Sequence, residues 1–252
     1  MIKFFRNIRR QLLIEKKSTK YFKYAIGEIL LVMIGILLAL QVNNWNEKTQ
    51  NKKSLNTYLT TLQKENKSNL YVINFRISAL TEDISLVNNY LTNLNTERPD
   101  QIHDSILISL VRHVGPIRIQ TLEDAVYKEL LNSNLLSTLK EGPFKRKMFM
   151  IKEQQTRYTG NIEEVHDIWI NELRPYYVKH GSLSRMRDSV LHVKIPKTFI
   201  KINRKAFINN NELNNILMNR NMMNMRAIQT FTYVKERIES VNEDIKNFVA
   251  ND

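Results

Sequence analysis

Residues 25–42 read AIGEILLVMIGILLALQV, and this apolar stretch decides how the rest of the chain is interpreted. Tyr24 precedes it and Trp45 follows it, and aromatic residues favour these two positions at the interfaces of a membrane-spanning helix. A helix from Tyr24 to Trp45 rises roughly 32 Å, which matches the hydrocarbon core of a bilayer at about 30 Å. The sequence therefore predicts a transmembrane helix at residues 24–45.

The residues before this helix form a basic tail. Residues 1–23 contain eight Lys or Arg and one Glu, whereas only Lys48, Lys52 and Lys53 follow the helix closely. By the positive-inside rule, this asymmetry predicts a cytoplasmic N-terminus. A cleaved signal peptide is the alternative, but its basic region is shorter and QVNNWNEK lacks a small-x-small cleavage pattern. We therefore expect an uncleaved anchor.

The tail also has a helical pattern of its own. Ile2, Phe5, Ile8 and Leu12 recur at spacings of three and four, as in helices that lie in the membrane interface. Its cations would then contact anionic lipid headgroups, each contributing about 1 kcal/mol. The candidate contact residues are Lys3, Arg6, Arg9, Arg10, Lys16 and Lys17. A role as a topology signal alone is the other interpretation.

The predicted span contains one acidic residue and a stripe of small ones. Glu28 could extend outward to the interface, become protonated or pair with a partner inside the membrane. Gly27, Leu31, Gly35 and Ala39 follow one another at intervals of four, and small residues at this spacing allow two helices to approach closely. Homodimerisation through this face, with Glu28 beside it, is a hypothesis that the spacing suggests.

Composition argues against several classes of function. More than half of the formal charge of +13 lies in residues 1–23, so we expect no nucleic-acid-binding face elsewhere. Absence of cysteine excludes disulfides and thiol nucleophiles, and six glycines leave little room for a phosphate-binding loop. Glu163-x-x-His166 occurs once, whereas a di-iron bundle needs two such pairs. We expect no enzyme activity, no cofactor and no metal.

Beyond the anchor, the periodicity is helical. Apolar residues recur every three or four positions from Leu55 to Leu94, with Asn66 as a polar member that either fixes register or faces solvent. Further helices are predicted at residues 102–113, at 122–131 with Thr121 as N-cap, at 144–175, and from about 221 onward. Residues 181–205 read as a loop with one short strand at 190–195. The predicted fold class is all-α: a helical bundle or coiled coil at 46–252, with the 144–175 helix antiparallel to the first.

The N-terminal sequence resembles a known family. MIKFFRNIRR and KYFKYAIGEILLVMIGILLALQVNNWNE are similar to bacterial proteins of domain-of-unknown-function family 6090. The resemblance is dense over residues 1–47, where Ala25-Ile26-Gly27-Glu28 and Asn43-Asn44-Trp45-Asn46 are its most specific pieces, and weaker over residues 121–158. It implies an inner-membrane protein of a Gram-negative bacterium with a periplasmic domain, and it implies no activity.

These observations lead to two functional hypotheses. The first is a non-catalytic, membrane-anchored periplasmic domain that binds another envelope protein or a ligand, with membrane lipids as further partners. The alternative is an enzyme that uses residues 181–205, where several polar side chains could converge. Those residues are Arg185, Arg187, Asp188, His192 and Lys194.

Overall fold

The computed structural model describes residues 18–181 and 202–250. Every regular element there is helical, and no strand occurs within these two ranges, so the all-α prediction is confirmed. We number the helices in chain order: α1 Ser18–Leu94, α2 Asp104–His113, α3 Ala125–Asn132, α4 Pro143–Ile168, α5 Arg174–His180, α6 Arg204–Phe207 and α7 Asn211–Ala250. The predicted strand at residues 190–195 lies outside the described residues.

The chain divides into two units, Met1–Thr57 and Tyr58–Asp252, each described by itself. In the first unit, α1 carries an apolar window with a mean hydropathy of 2.4, and none of the window is buried. Ile29 and Leu38, for example, are 67% and 59% exposed. By length and composition, this window is the one candidate membrane span within the described residues.

The second unit is built on three long helices: the part of α1 after Thr57, α4 and α7. Along α1 and α7 the contacts run in opposite directions, because Asn66 meets Asn242 whereas Asp83 meets Arg220. Helices α4 and α7 also run in opposite directions, because Lys147 pairs with Asp244 whereas Glu164 pairs with Arg226. Both α1 and α4 are therefore antiparallel to α7 and parallel to each other, so the predicted antiparallel packing of α4 on α1 is wrong.

The reason for the parallel arrangement is a non-helical return segment, residues 114–124, which follows α2. It begins beside Arg220, which donates to the Gly115 carbonyl, and it ends at Asn69, whose side chain exchanges two hydrogen bonds with the Glu123 backbone at 2.8 and 2.9 Å. Extended chain advances about 3.3 Å per residue, more than twice the helical rise. Eleven residues thus return the chain along α1, and α4 starts again from the same end.

Helix α3 begins at Ala125, and its N-terminus is bound by a residue of another helix. The Glu65 carboxylate on α1 accepts a 2.8 Å hydrogen bond from the Val126 N–H, and Asp124 occupies the N-cap position without a side-chain cap bond. The prediction of Thr121 as the N-cap is therefore wrong. A carboxylate at a helix N-terminus satisfies an orphan donor and interacts favourably with the helix dipole.

Helix α7 begins about ten residues before the predicted start. Asn210 accepts a 3.1 Å hydrogen bond from the Leu213 N–H, which is the geometry of an asparagine N-cap. Asn209, just before it, has a left-handed backbone with φ of 49°, and its side chain donates to the Thr96 carbonyl at 3.1 Å. Two adjacent asparagines thus start α7 and fix it to the chain that follows α1.

A π-helical turn, Trp169–Leu173, separates α4 from α5. Pro175 has no N–H to donate and its ring crowds the preceding turn, which disfavours a regular α-helix here. Widening the turn accommodates the proline, and Trp169 and Leu173 remain buried in the core.

We predict that Glu65→Gln stabilises the domain more as the pH rises. Burial raises the pKa of Glu65, ahead of the hydrogen bonds from Val126 and Tyr127 that lower it. A carboxyl whose pKa is raised by folding opposes folding above that folded pKa, and the cost vanishes below the unfolded pKa. Glutamine keeps an acceptor without the charge, so its advantage should be present at about pH 8 and absent at about pH 4.

The measurement is denaturant unfolding of both proteins across this pH range. Glu129→Gln, an exposed position on α3, is the matched control and should give no pH-dependent difference. A Glu65→Gln advantage that stays constant with pH would contradict the explanation.

Candidate functional site

The residues proposed for helix pairing lie on the apolar part of α1. Gly27, Leu31, Gly35 and Ala39 are exposed, and Glu28 is half-buried. A Cβ atom added at Gly27 or Gly35 would meet no atom within 4 Å, so this face of the single chain has room for a partner helix.

Two other groups of candidates lie outside the described residues. The first comprises the tail cations Lys3, Arg6, Arg9, Arg10, Lys16 and Lys17. The second comprises Arg185, Arg187, Asp188, His192 and Lys194, on which the enzyme alternative depends.

Glu163 and His166 do not face a common site. Glu163 is exposed, whereas the His166 Nδ1 lies 2.8 Å from the Ile117 carbonyl oxygen of the return segment. Across residues 18–181 and 202–250, no group of three His, Asp or Glu side chains is arranged to hold a metal ion.

A buried polar network lies where α1, α4, α7 and the return segment meet. The Arg220 side chain, 0% exposed, donates from Nε to Asp83 at 2.9 Å and from Nη1 to the Val165 carbonyl at 2.9 Å. A longer bond of 3.3 Å runs from Nη2 to the Gly115 carbonyl. Asn224 donates to the same Asp83 oxygen at 2.6 Å. The guanidinium charge is therefore neutralised by one carboxylate, and two further N–H groups donate to backbone carbonyls.

A cleft of about 280 Å³ opens beside this network, between α1, the start of the return segment and α7. Its lining includes both apolar and charged side chains. The lining residues are Phe75, Arg76, Ala79, Leu80, Glu82, Asp83, Leu86, His113, Gly115, Pro116, Ile117 and Arg220.

Arg76 is the unusual member of the lining. It is 7% exposed, its Nε is fully buried and makes no hydrogen bond, and no carboxylate of the described residues forms an ion pair with it. Its neighbours are aromatic: the Arg76 guanidinium carbon lies 5.8 Å from the centre of the Phe75 ring, and Tyr158 lies beside it on α4. Burial raises the pKa of Tyr158, and the adjacent Arg76 lowers it through its charge and as a hydrogen-bond donor. A buried cation without an anionic partner is rare, because removal from water costs several kcal/mol per ion.

The cleft lining combines charged groups with apolar residues. It offers two guanidinium groups, two carboxylates and an imidazole, but no hydroxyl, thiol or amine nucleophile. Asp83 accepts hydrogen bonds from Arg220 and Asn224. What remains accessible is a cation beside an apolar wall.

Sequence reasoning missed Asp83, Arg220 and Arg76, although a signal for the first two exists. Asp83 lies three residues after Leu80 and four before Val87, both fully buried, and Arg220 lies three after the buried Leu217. Charges of opposite sign at core positions of two amphipathic helices predict a buried pair. Arg76 also lies at a core position, three residues after the buried Ile73 and four before the buried Leu80, but it has no carboxylate partner among the described residues.

Comparison with known proteins supports the recognition of the family. The model of a family of unknown function, DUF6090, matches residues 28–109, which include most of α1 and part of α2. The match includes the candidate span from Glu28 onward and the α1 side of the cleft, but not residues 121–158, where a weaker resemblance was expected. No curated protein and no solved structure matches the chain. Over residues 28–109, which is less than half of the chain, the sequence is similar to the DUF6090 family of unknown function.

Proposed function

We propose that this chain is a non-catalytic protein anchored by one helix in a bacterial inner membrane, with its helical domain in the periplasm, where it binds an envelope protein or a ligand. The observation that carries the proposal is the exposure of the apolar window in α1. None of that window is buried, so its side chains would face water unless a bilayer covers them. Exposing this much apolar surface is strongly unfavourable, at about 25 cal/mol per Å².

The charge distribution supports the orientation. The eight cations of residues 1–23 exceed the three that closely follow the span, which favours retention of the N-terminal side in the cytoplasm. The same cations would bind anionic headgroups of the inner leaflet, the candidates being Lys3, Arg6, Arg9, Arg10, Lys16 and Lys17.

The periplasmic domain is suited to binding by its rigid core and its cleft. Long helices with buried apolar and polar contacts hold the cleft walls in place. Two of these contacts are hydrogen bonds between α1 and α7, one joining Asp83 to Arg220 and the other joining Asn66 to Asn242.

We expect the full chain to remain in the membrane pellet after extraction with alkaline carbonate, because an apolar spanning helix resists conditions that release peripheral proteins. Alkaline phosphatase fused after Asp252 should be active, since this enzyme needs an oxidising compartment for its disulfides. The matched control deletes residues 25–42 and should give a soluble, inactive fusion. Release of the full chain by carbonate, or an inactive fusion despite normal expression, would contradict the proposal.

The stripe Gly27, Leu31, Gly35 and Ala39 supports a homodimer through the span. Gly35→Leu places a bulky side chain where a Cβ now meets no atom within 4 Å of the single chain, and it would separate two closely packed helices. In a membrane-dimerisation reporter, we expect a several-fold loss of signal. Leu37→Val, about 200° around the helix from Gly35, is the control and should change little. An unchanged signal for Gly35→Leu would remove the dimer through this stripe.

A further inference from the structure

Arg76 is a buried charge whose counter-ion is missing from the described residues. Arg220, in the same cleft, shows the usual arrangement: it is buried and paired with Asp83 at 2.9 Å. Arg76 is 7% exposed, yet its Nε has no hydrogen-bond partner and its charge has no carboxylate among the described residues. Buried charges in proteins are ordinarily paired. A buried cation without a carboxylate partner, in the wall of a cleft, is therefore available to bind an anionic ligand.

The acids of the cleft do not supply that anion. Asp83 already binds Arg220 and Asn224 through one oxygen. Glu82 is exposed to solvent at the cleft, where its charge is screened and hydrated. Neither forms an ion pair with Arg76.

The remaining walls define the rest of the ligand. Leu80 and Leu86 on α1, with Pro116 and Ile117 on the return segment, line the cleft with apolar surface beside Arg76. The volume of about 280 Å³ is close to the lower end of the range for small-molecule sites. A bare inorganic anion would leave the apolar walls wet.

We propose that the cleft binds a small carboxylate with a short apolar tail, whose carboxylate pairs with Arg76 and whose tail lies on the wall formed by Leu86, Pro116 and Ile117. This inference rests on the proposed binding function and names the chemical class of its ligand. A guanidinium suits the role because its planar donors match the geometry of a carboxylate. Desolvation in the cleft strengthens that pair relative to one on the surface.

The test uses the full chain purified in detergent and titrated calorimetrically with butanoate, hexanoate and octanoate. We expect saturable binding of at least one of these probes. The matched neutral alcohols and inorganic phosphate should bind at least about tenfold more weakly, which corresponds to about 1.4 kcal/mol. An alcohol or phosphate that binds as tightly as its carboxylate counterpart overturns the proposal, as does the absence of saturable binding.

Two variants locate the site. Arg76→Gln removes the charge and should weaken carboxylate binding at least about tenfold. Arg157→Gln, at an exposed arginine paired with Glu153, should bind like the wild type. Without ligand, Arg76→Gln should unfold at the same or a higher temperature than the wild type, because it relieves an uncompensated buried charge. A variant that binds carboxylate normally, or that unfolds at a lower temperature because its charge was already compensated, overturns the inference.

Failure here is separable from failure of the proposed function. If the phosphatase fusion is active but the chain binds no carboxylate, the periplasmic location stands and the proposed ligand is wrong. If the chain binds carboxylate through Arg76 but the fusion is inactive, the proposed ligand stands and the periplasmic location is wrong.

Discussion

The ion pair between Asp83 and Arg220 constrains the second unit more than any other single contact. A buried guanidinium must find an acceptor for its N–H groups, and Arg220 finds them on α1, on α4 and on the return segment. Sliding any of these elements by one helical turn, about 5.4 Å, would break at least one of these bonds inside the core. The relative register of the elements, and with it the shape of the cleft, therefore depends on this arginine.

Asparagine pairs extend the same control along α1 and α7. Asn66 meets Asn242, Asn88 meets Asn221 and Asn95 meets Asn214, each at 2.8 Å. Polar side chains at a helix interface contribute little net stability, but they penalise every register that leaves them unpaired. Asn66 thus fixes the register of α1 on α7. The other interpretation, that Asn66 faces solvent, is wrong, because the residue is buried. These asparagines therefore contribute to the packing of α1 on α7 and are more than a bias in composition.

The apolar window of α1 and the helices at 102–113 and 144–175 could be predicted from sequence because they depend on local periodicity. Three features could not. Helix α4 runs parallel to α1 because an extended segment bound through Asn69 reverses the chain, and such a segment has no period to detect. Helix α3 takes its N-terminal acceptor from Glu65, sixty-one residues away in sequence. The cleft depends on Arg76 and Arg220, which are brought together only by the fold.

The most direct test of this account is the coupling energy between Asp83 and Arg220, measured by a double-mutant cycle. Unfolding free energies would be compared for Asp83→Ala, Arg220→Ala and the double variant, each purified as the full chain. Glu153 and Arg157, an exposed pair at 2.8 Å one turn apart on α4, provide the control cycle, with an expected coupling of about 0.3–0.5 kcal/mol. We expect each single change in the buried pair to cost about 3–5 kcal/mol, and the pair to couple by well over 1 kcal/mol. A coupling no larger than that of the exposed pair would contradict the role assigned to Arg220.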